Sequence, residues 1–393
     1  MYNKDILKKE VTCILRHNIL EFWQKNMFCP EGGFYGAMTS DGTLIKDADR
    51  GAVLNARILW SFSAAYRVLG DEEYLKCATH AKDYLLAKFY SPDSGELCWS
   101  VNHAGEVVDS KNQFYALAFA IYGLTEYHRA TADSDALTQA INLFRAIEKY
   151  SFDTESGGYI EARKKDWQEI TDFRLSEKDD NAPLTMNTHL HILEAYTHLY
   201  RVCKTEEVYE ALVRLIKIFT DRIYNPENDH LSLFFDMQWN KLDDIHSYGH
   251  DIEASWLILE AAQVAADEGL IEQVMGITRK VATAALEGLQ DDGSLIYERH
   301  SDGTLDTDRH WWVQAECVVG LMWLAEYHGD RNAADMAAKC WEYIKREIID
   351  TENGEWWWSR RADGSINLAE DKAGMWKCPY HNSRMCLEIL GFV

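Results

Sequence analysis

Residues 53–100 read VLNARILWSFSAAYRVLGDEEYLKCATHAKDYLLAKFYSPDSGELCWS, and they contain every part of a unit that recurs along the chain. The stretch begins with an apolar, aromatic segment at 53–69, continues with a more charged one at 72–90, and ends in SGELCWS at 94–100. Apolar residues at helical spacing predict a helix with one buried face. We therefore expect two helices followed by a short hairpin rich in glycine and aromatic residues.

The Gly/aromatic segments recur at a nearly constant spacing. Neighbouring copies place their glycines 61 to 63 residues apart, except for one gap of 136 residues that holds a degenerate fourth copy. A period of this kind predicts an architecture of six repeated units. The segments are EGGFYG (31–36), SGELCWS (94–100), SGGYIEA (156–162), NDHLSLFFD (228–236), DGSLIYE (292–298) and NGEWWWS (353–359).

Two helical patterns lie between successive segments. The more charged set spans 4–26, 72–90, 134–150, 206–223, 271–288 and 333–349, and the more apolar set spans 53–69, 113–129, 186–202, 248–265, 312–328 and 375–390. Alternation of the two sets predicts an outer and an inner ring, an all-α (α/α)6 barrel with short β-hairpins at one rim. An open solenoid has similar periodicity but usually a shorter repeat. Because no linker or charge block divides the chain, we expect one domain over residues 1–393.

The composition excludes several classes of partner. A formal net charge of −24 disfavours nucleic acid and anionic membrane surfaces, whereas a neutral small molecule is not repelled. Nine cysteines scattered from Cys13 to Cys386 without a C-x-x-C motif indicate reduced thiols. No apolar run approaches the roughly 20 residues of a membrane span, and the N-terminus lacks a signal-peptide pattern. We expect a monomeric cytoplasmic protein.

Polar side chains within the apolar helices are the candidates for function, because burying them without partners costs about 1–3 kcal/mol each. In IHSYGHDIEASWLILE, residues 245–260, a helix places His250, Glu253 and Trp256 on one side. Each apolar segment carries such a group, mostly near its N-terminal end, where the helix dipole is positive. The other candidates are Arg57, Tyr115, Asn187, His191, Trp312, Glu316, Trp376 and His381.

Other histidines have simpler interpretations. His246 and His250 have the i, i+4 spacing of a zinc pair, but the H-E-x-x-H motif is absent, so we predict no metal site. In TMNTHLH only His191 shares a helix face with Asn187, so we expect His189 at the surface.

The candidates together favour carbohydrate chemistry. Aromatic faces match the C–H faces of a pyranose, while Arg, Asn and Glu side chains bind hydroxyl groups. Two imidazoles, His250 and His381 from the fourth and sixth apolar helices, can move protons at neutral pH on opposite faces of one carbon. A glycosidase would instead place two carboxylates about 5–10 Å apart beside the bond.

Three motifs carry a resemblance to a known family. HSYGHDIEASW, WWVQAE and MWKCPYHNSRMCLE resemble the N-acylglucosamine 2-epimerase superfamily, and the resemblance runs from EGGFYG and ADRGAVLNARILWSFS to KCPYHNSRM, nearly the whole chain. It implies an (α/α)6 barrel and cofactor-free epimerisation at C2 of a reducing-end aldose through a cis-enediolate.

The resemblance also implies a role for each candidate. His250 and His381 correspond to the general acid/base pair, and His191 to a third catalytic histidine that opens the ring or binds a hydroxyl. Arg57 would hold the O1/O2 edge and stabilise the enediolate. The remaining substrate-binding residues are Tyr115, Asn187, Glu253 and Glu316 for the hydroxyls and imidazoles, Trp312 and Trp376 as platforms under the sugar units, and Trp256 as the wall beside them.

Our first hypothesis is a 2-epimerase for β-1,4-linked disaccharides such as cellobiose or lactose, because the aromatic residues around Trp312 and Trp376 favour a second sugar unit. An N-acylglucosamine 2-epimerase and an aldose–ketose (mannose-type) isomerase are alternatives on the same barrel. A glycoside hydrolase or lyase would need a catalytic Asp/Glu pair. A non-catalytic helical scaffold would leave the inward polar groups without a role.

Overall fold

The computed structural model describes residues 3–176 and 179–392, so both ends of the predicted domain over 1–393 lie outside the described residues. Even-numbered helices form an inner ring and odd-numbered helices an outer one. Each inner helix contacts the next, and α12 contacts α2, so the ring closes and the predicted (α/α)6 barrel is confirmed. In chain order the helices are α1 (Lys4–Ile14), α2 (Ala52–Leu69), α3 (Glu72–Lys88), α4 (Phe114–Thr131), α5 (Ser134–Tyr150), α6 (Met186–Val202), α7 (Glu206–Ile218), α8 (Tyr248–Ala265), α9 (Glu268–Ala285), α10 (Trp311–His328), α11 (Arg331–Tyr343) and α12 (Tyr380–Gly391).

Several outer helices are extended by turns of different pitch. π-helical turns Leu15–Leu20 and Trp23–Met27 follow α1, Phe219–Ile223 follows α7 and Ile344–Ile348 follows α11, while 3-10 turns occur at Lys165–Trp167 and Leu286–Gly288. Among the residues that the structure describes, no helix combines the length and apolar character needed to cross a bilayer. All nine cysteines are free thiols, as predicted.

Four inner helices end in the same two-residue corner. A residue with positive φ ends the helix, and the next residue is an aspartate whose carboxylate accepts a backbone N–H of the outer helix. The left-handed residue prevents the helix from continuing, and the aspartate satisfies a donor at the start of the next one. The corners are Gly70 with Asp71, Ala132 with Asp133, Ala266 with Asp267, and Gly329 with Asp330.

Short antiparallel strands lie at the rim where the inner helices begin. Five strands lead into inner helices, and each pairs with a strand of the next unit: β3 with β6, β8 with β9, β10 with β11, β12 with β13, and β15 with β16. A bridge between Met38 and Ala373 links the last unit to the first. The strands are β1 (Ala37–Met38), β2 (Leu44–Ile45), β3 (Arg50–Gly51), β4 (Tyr90–Ser91), β5 (Glu96–Leu97), β6 (Ser100–Val101), β7 (Val107–Asp109), β8 (Asn112–Gln113), β9 (Ala162–Arg163), β10 (Leu184–Thr185), β11 (Phe234–Phe235), β12 (His246–Ser247), β13 (Glu298–Arg299), β14 (Leu305–Asp306), β15 (Arg309–His310) and β16 (Ser359–Arg360).

The degenerate fourth segment makes the same turn as its neighbours. Gly157 has φ +71° and donates its N–H to the carbonyl of Asp153, and Asp229 has φ +64° and donates to the carbonyl of Asn225. Aspartate enters the left-handed region more readily than most residues, so it replaces the glycine here.

The sixth inner helix begins later than predicted. The pattern indicated a helix from residue 375, but α12 starts at Tyr380, directly after Pro379. The preceding residues form a turn in which the N–H of Gly374 donates to the carbonyl of Lys377. Proline disfavours a helical conformation in the residue before it, so the helix starts after the ring. Trp376 therefore lies in a loop instead of on the helix.

Candidate active site

A cavity of about 430 Å³ opens where the inner helices begin, at the rim that carries the strands. Its lining joins residues from all six inner helices or the segments that lead into them. Nine of the eleven residues selected from the sequence line it: Arg57, Tyr115, Asn187, His191, His250, Glu253, Trp312, Trp376 and His381.

Two imidazoles from different walls of this cavity contact the same indole. The ring of Trp312 lies 4.8 Å from that of His250 and 5.6 Å from that of His381, measured between centroids. Gly249 makes this packing possible, because a Cβ at that position would lie 2.6 Å from the Trp312 side chain. The glycine beside His250 therefore lets α8 and α10 approach closely.

Each of these imidazoles has a hydrogen-bond partner at Nδ1. His381 Nδ1 lies 2.7 Å from Glu316 Oε1, and His250 Nδ1 lies 2.8 Å from the hydroxyl of Ser247. Within residues 3–176 and 179–392, neither Nε2 has a hydrogen-bond partner. Burial lowers the pKa of His250 to about 4, and burial lowers the pKa of His381 well below its ordinary value. Both shifts favour the neutral ring, and the carboxylate at Nδ1 of His381 leaves Nε2 of that ring as the proton acceptor.

Arg384 lies behind this wall at 0% exposure. Its guanidinium forms ion pairs with the carboxylates of Glu194, Glu253 and Glu316. Glu316 also accepts the hydrogen bond of His381, and Glu253 lies 3.9 Å from the same imidazole nitrogen. Removing one member of such a buried network leaves uncompensated charge, so the arginine fixes the carboxylates that orient His381.

Two of the predicted substrate-binding residues, Trp256 and Glu316, lie with Arg384 behind the residues that line the cavity. Trp256 is 1% exposed, and its indole N–H donates to Glu316 at 3.1 Å. Neither Trp256 nor Glu316 lines the cavity, so the assignment of Trp256 as a wall beside the sugar is corrected. Trp256 lies six residues after His250, almost two helical turns further from the rim, and does not reach the cavity that His250 lines.

The opposite wall carries a second set of polar contacts. His191 Nδ1 lies 2.9 Å from Glu194 Oε2, and its ring packs edge-on against Tyr115 with centroids 4.9 Å apart. Burial lowers the pKa of His191, against the opposing effect of Glu194. Arg57 donates to the Tyr115 hydroxyl at 2.8 Å and stacks 4.2 Å from the centre of the Phe119 ring.

Two polar atoms at this wall lack a protein partner. The side-chain carbonyl of Asn187 and the Nε of Arg57 are buried without a hydrogen bond within the described parts of the chain. The side chains of Asn187 and Arg57 both line the cavity, so they are candidates for binding hydroxyl groups.

A second cavity of about 380 Å³ adjoins the first. The two share Asn187, His250, Tyr297, His310 and Trp358, among other residues. The second cavity is also lined by Asp179, Asp306 and Glu370, and by Glu161 and Glu298, whose pKa values burial raises to about 8 and about 7. Such a lining repels anionic ligands and accepts hydrogen bonds from hydroxyl groups.

One histidine lies elsewhere than the sequence indicated. His189 is 0% exposed, not at the surface, because Nδ1 faces the carbonyl of Thr185 at 2.6 Å and Nε2 accepts the N–H of Tyr159 at 2.9 Å. His246, for which no zinc pairing with His250 was predicted, packs against another histidine. Its ring stacks on His230 with centroids 3.9 Å apart.

Two groups of side chains bring metal-ligating atoms within 4.8 Å of one another: Glu253, Glu316 and His381, and His230, His246 and Glu287. In the first group both carboxylates already bind the guanidinium of Arg384, which disfavours a second cation.

A family model described as N-acylglucosamine 2-epimerase (GlcNAc 2-epimerase) matches residues 33–384. The chain belongs to the N-acylglucosamine 2-epimerase family. It is 54% identical over 389 residues to a relative from Bacteroides fragilis named cellobiose 2-epimerase, with 98% of this chain and 99% of the relative covered. It is 39% identical to a cellobiose 2-epimerase of Ruminococcus albus, with 97% of each covered. The solved cellobiose 2-epimerase of Bacillus thermoamylovorans matches with a TM-score of 0.94 at 39% identity, covering 99% of this chain and 100% of that one.

Sequence reasoning missed Arg384 and Glu194, although both carried a signal. Each lies three residues after a selected histidine, His381 and His191, within an apolar helix of this family's fold. The rule that selected the histidines, a polar group in an apolar helix, selects these residues too. The cavity residues Asp179, His310 and Trp358 carried no such signal, because they belong to rim segments.

Proposed function

We propose that this protein epimerises cellobiose at C2 of its reducing-end sugar, giving 4-O-β-D-glucosyl-D-mannose. The observation that carries the proposal is that His250 and His381 line one cavity and both contact Trp312. The names of the most similar family members support the same reaction.

The reaction needs two proton-transfer groups at C2. After the reducing-end ring opens, one imidazole takes the C2 proton, which leaves a cis-enediolate and an imidazolium. Rotation about the C2–C3 bond presents the other face of C2 to the second imidazole, which has taken up a proton from solvent and delivers it there, while the first imidazolium returns its proton to solvent. One proton leaves and one arrives while no electrons are lost, so the chemistry balances without a redox cofactor. We assign these roles to His250 and His381.

The surrounding residues stabilise the charge that develops on oxygen. Arg57 and the Tyr115 hydroxyl form one hydrogen-bonded unit at the cavity wall and would bind the O1/O2 edge of the enediolate. His191, held by Glu194, would move the proton that ring opening requires. Glu316 and Glu253 would act through His381 as positioning residues.

The second sugar unit would occupy the adjoining cavity. Trp312 and Trp376 would stack under the sugar rings, and Asn187, which lines both cavities with an unpaired carbonyl, would accept a hydroxyl between them. Lactose has the same reducing-end glucose and the same β-1,4 linkage, so we expect it to be accepted.

One incubation tests the proposal. The protein is mixed with cellobiose in D2O, and the reducing end is followed by NMR and by chromatography of the products. We expect 4-O-β-D-glucosyl-D-mannose with deuterium at C2. The variants His250→Ala and His381→Ala should lose product and exchange by at least about 10²-fold while keeping their helical circular dichroism.

Other outcomes would replace the proposal. Free glucose would indicate a hydrolase, a ketose product an aldose–ketose isomerase, and turnover of N-acetylglucosamine without turnover of cellobiose an N-acylglucosamine epimerase. Near-normal turnover in either histidine variant would refute the two-base assignment. Undiminished turnover after exhaustive chelation would agree with a cofactor-free reaction.

A further inference from the structure

Three side chains of metal-binding type meet outside the lining of the two cavities. His230 belongs to the fourth Gly/aromatic segment, His246 lies in β12, and Glu287 follows α9. The two imidazole rings stack with centroids 3.9 Å apart, and one ligand-type atom of each of the three residues lies within 4.8 Å of the others. The histidines are 2% and 9% exposed, whereas the glutamate side chain reaches solvent.

The hydrogen bonds leave one nitrogen of each histidine unpaired. His230 Nδ1 lies 2.7 Å from Asp251 Oδ2, and the other oxygen of Asp251 accepts the N–H of Leu231 at 3.0 Å. His246 Nε2 lies 3.2 Å from the side-chain amide of Asn228. His230 Nε2 and His246 Nδ1 are buried without hydrogen bonds within the described residues, although Glu287 Oε2 lies 3.4 Å from the first.

We propose that His230, His246 and Glu287 bind one divalent transition-metal ion, with Zn²⁺ as the probe that represents this class. Imidazole nitrogen and carboxylate oxygen are ligands that Zn²⁺ takes in a tetrahedral arrangement, and three protein ligands leave a fourth position for water. Asp251 orients His230 through its other nitrogen, which is the arrangement common behind metal-bound histidines.

The ion would have a structural role distinct from the proposed proton transfer. Its ligands come from the fourth rim segment, from β12 and from the end of α9, so one ion would tie three segments together. Strand β12 leads directly into α8, and Asp251 is the residue after His250. Binding would therefore stabilise the start of the helix that presents His250 to the cavity.

The test uses the full-length protein after chelation and dialysis into metal-free buffer. Zn²⁺ binding is followed by calorimetry and by the rise in Tm, and Co²⁺ binding by its visible absorption. We expect one saturable site per chain. His246→Gln should abolish it, and Glu287→Gln should weaken it at least tenfold, whereas Glu272→Gln, at an exposed acid of the preceding helix α9, should leave it unchanged.

The exposed Glu287 keeps the proposal falsifiable even if His246→Gln fails to fold. Absence of saturable binding, or equal affinity in Glu287→Gln and wild type, would overturn it and leave His230 as an imidazolium between Asp251 and Glu287. A thiolate-to-cobalt charge-transfer band would place the ion on cysteines. If Glu316→Gln loses Zn²⁺ binding and Glu287→Gln keeps it, the ion binds at the group formed by Glu253, Glu316 and His381. Either result would also overturn the proposal.

Discussion

His381 depends on residues that no ligand in the cavity would touch. Glu316 accepts from His381 and Arg384, so one carboxylate joins the imidazole to the buried guanidinium. Burial raises the pKa of Glu316, against the effect of Arg384. The same arginine binds Glu253 and thereby engages both acids nearest His381. A glycosidase pair needs two carboxyl groups free to act on the substrate, whereas both of these bind Arg384 and Glu316 does not line the cavity.

Replacing Glu316 by Gln should reduce kcat by about 10²-fold with little change in KM, because the amide no longer orients His381 as a carboxylate does. Steady-state kinetics on cellobiose measures both constants. Glu326→Gln is the matched control, since Glu326 lies on the same helix α10 but is exposed. A variant with normal kcat, or one in which only KM rises, would contradict the positioning role.

The buried His189 makes stability depend on pH. Burial lowers the pKa of His189 to about 4 from 6.5, so between these values the unfolded chain binds a proton that the folded chain does not. The free energy of unfolding contributed by this ring therefore falls as pH falls through that window, by up to about 1.4 kcal/mol per pH unit. In His189→Gln the urea midpoint should vary less between pH 6.5 and 4.5 than in wild type. Parallel curves for the two proteins would contradict this expectation.

At the scale of elements, one local rule sets four of the five connections from an inner helix to the next outer helix, the exception being the one from α6 to α7. A left-handed residue followed by a capping aspartate turns the chain from inner to outer helix, and a glycine or Asp229 turns it back through a rim hairpin. These devices are local in sequence, so each unit specifies its own turns before the barrel closes.

Two glycine-to-alanine substitutions should change stability in opposite directions, one in a rim turn and one within a helix. Gly157→Ala should destabilise the protein by about 1–2 kcal/mol, because Gly157 has φ +71° although no atom lies within 4 Å of an added Cβ. Gly276→Ala, in the exposed interior of α9 and equally free of neighbours, should stabilise it by about 0.5–1 kcal/mol. Urea denaturation measures both. Effects of the same sign would show that backbone conformation does not govern these positions.

At the scale of the whole molecule, charge and ring closure act together. A net charge of −24 and the aspartates that line the second cavity oppose anionic ligands but exert no force on a neutral sugar. One cavity of the closed ring opens at the rim where the inner helices begin, and candidate groups from all six inner walls face that space.

The proposed reaction should therefore be insensitive to salt. We expect kcat/KM for cellobiose to change less than about twofold between 0.02 and 0.5 M NaCl, because screening alters only interactions between charges. Melting temperature should rise over the same range as repulsion among the acidic groups is screened. A steep fall of kcat/KM with salt would indicate that charge steers the true substrate.

Much of the barrel could be predicted from local patterns alone. The alternation of apolar and charged helices, the repeated Gly/aromatic turns and nine cavity residues followed from spacing, polarity and a family resemblance. Helical periodicity and turn chemistry act over a few residues, so one sequence suffices to detect them.

Contacts between distant segments decided the rest. Trp256 lies on the predicted helix face yet donates to Glu316 from behind the wall, and His246 stacks on His230. Arg384 became central only when three other helices brought glutamates to it. Periodicity tells which side of a helix is buried, but the depth of a side chain and its partners depend on the helices packed against it.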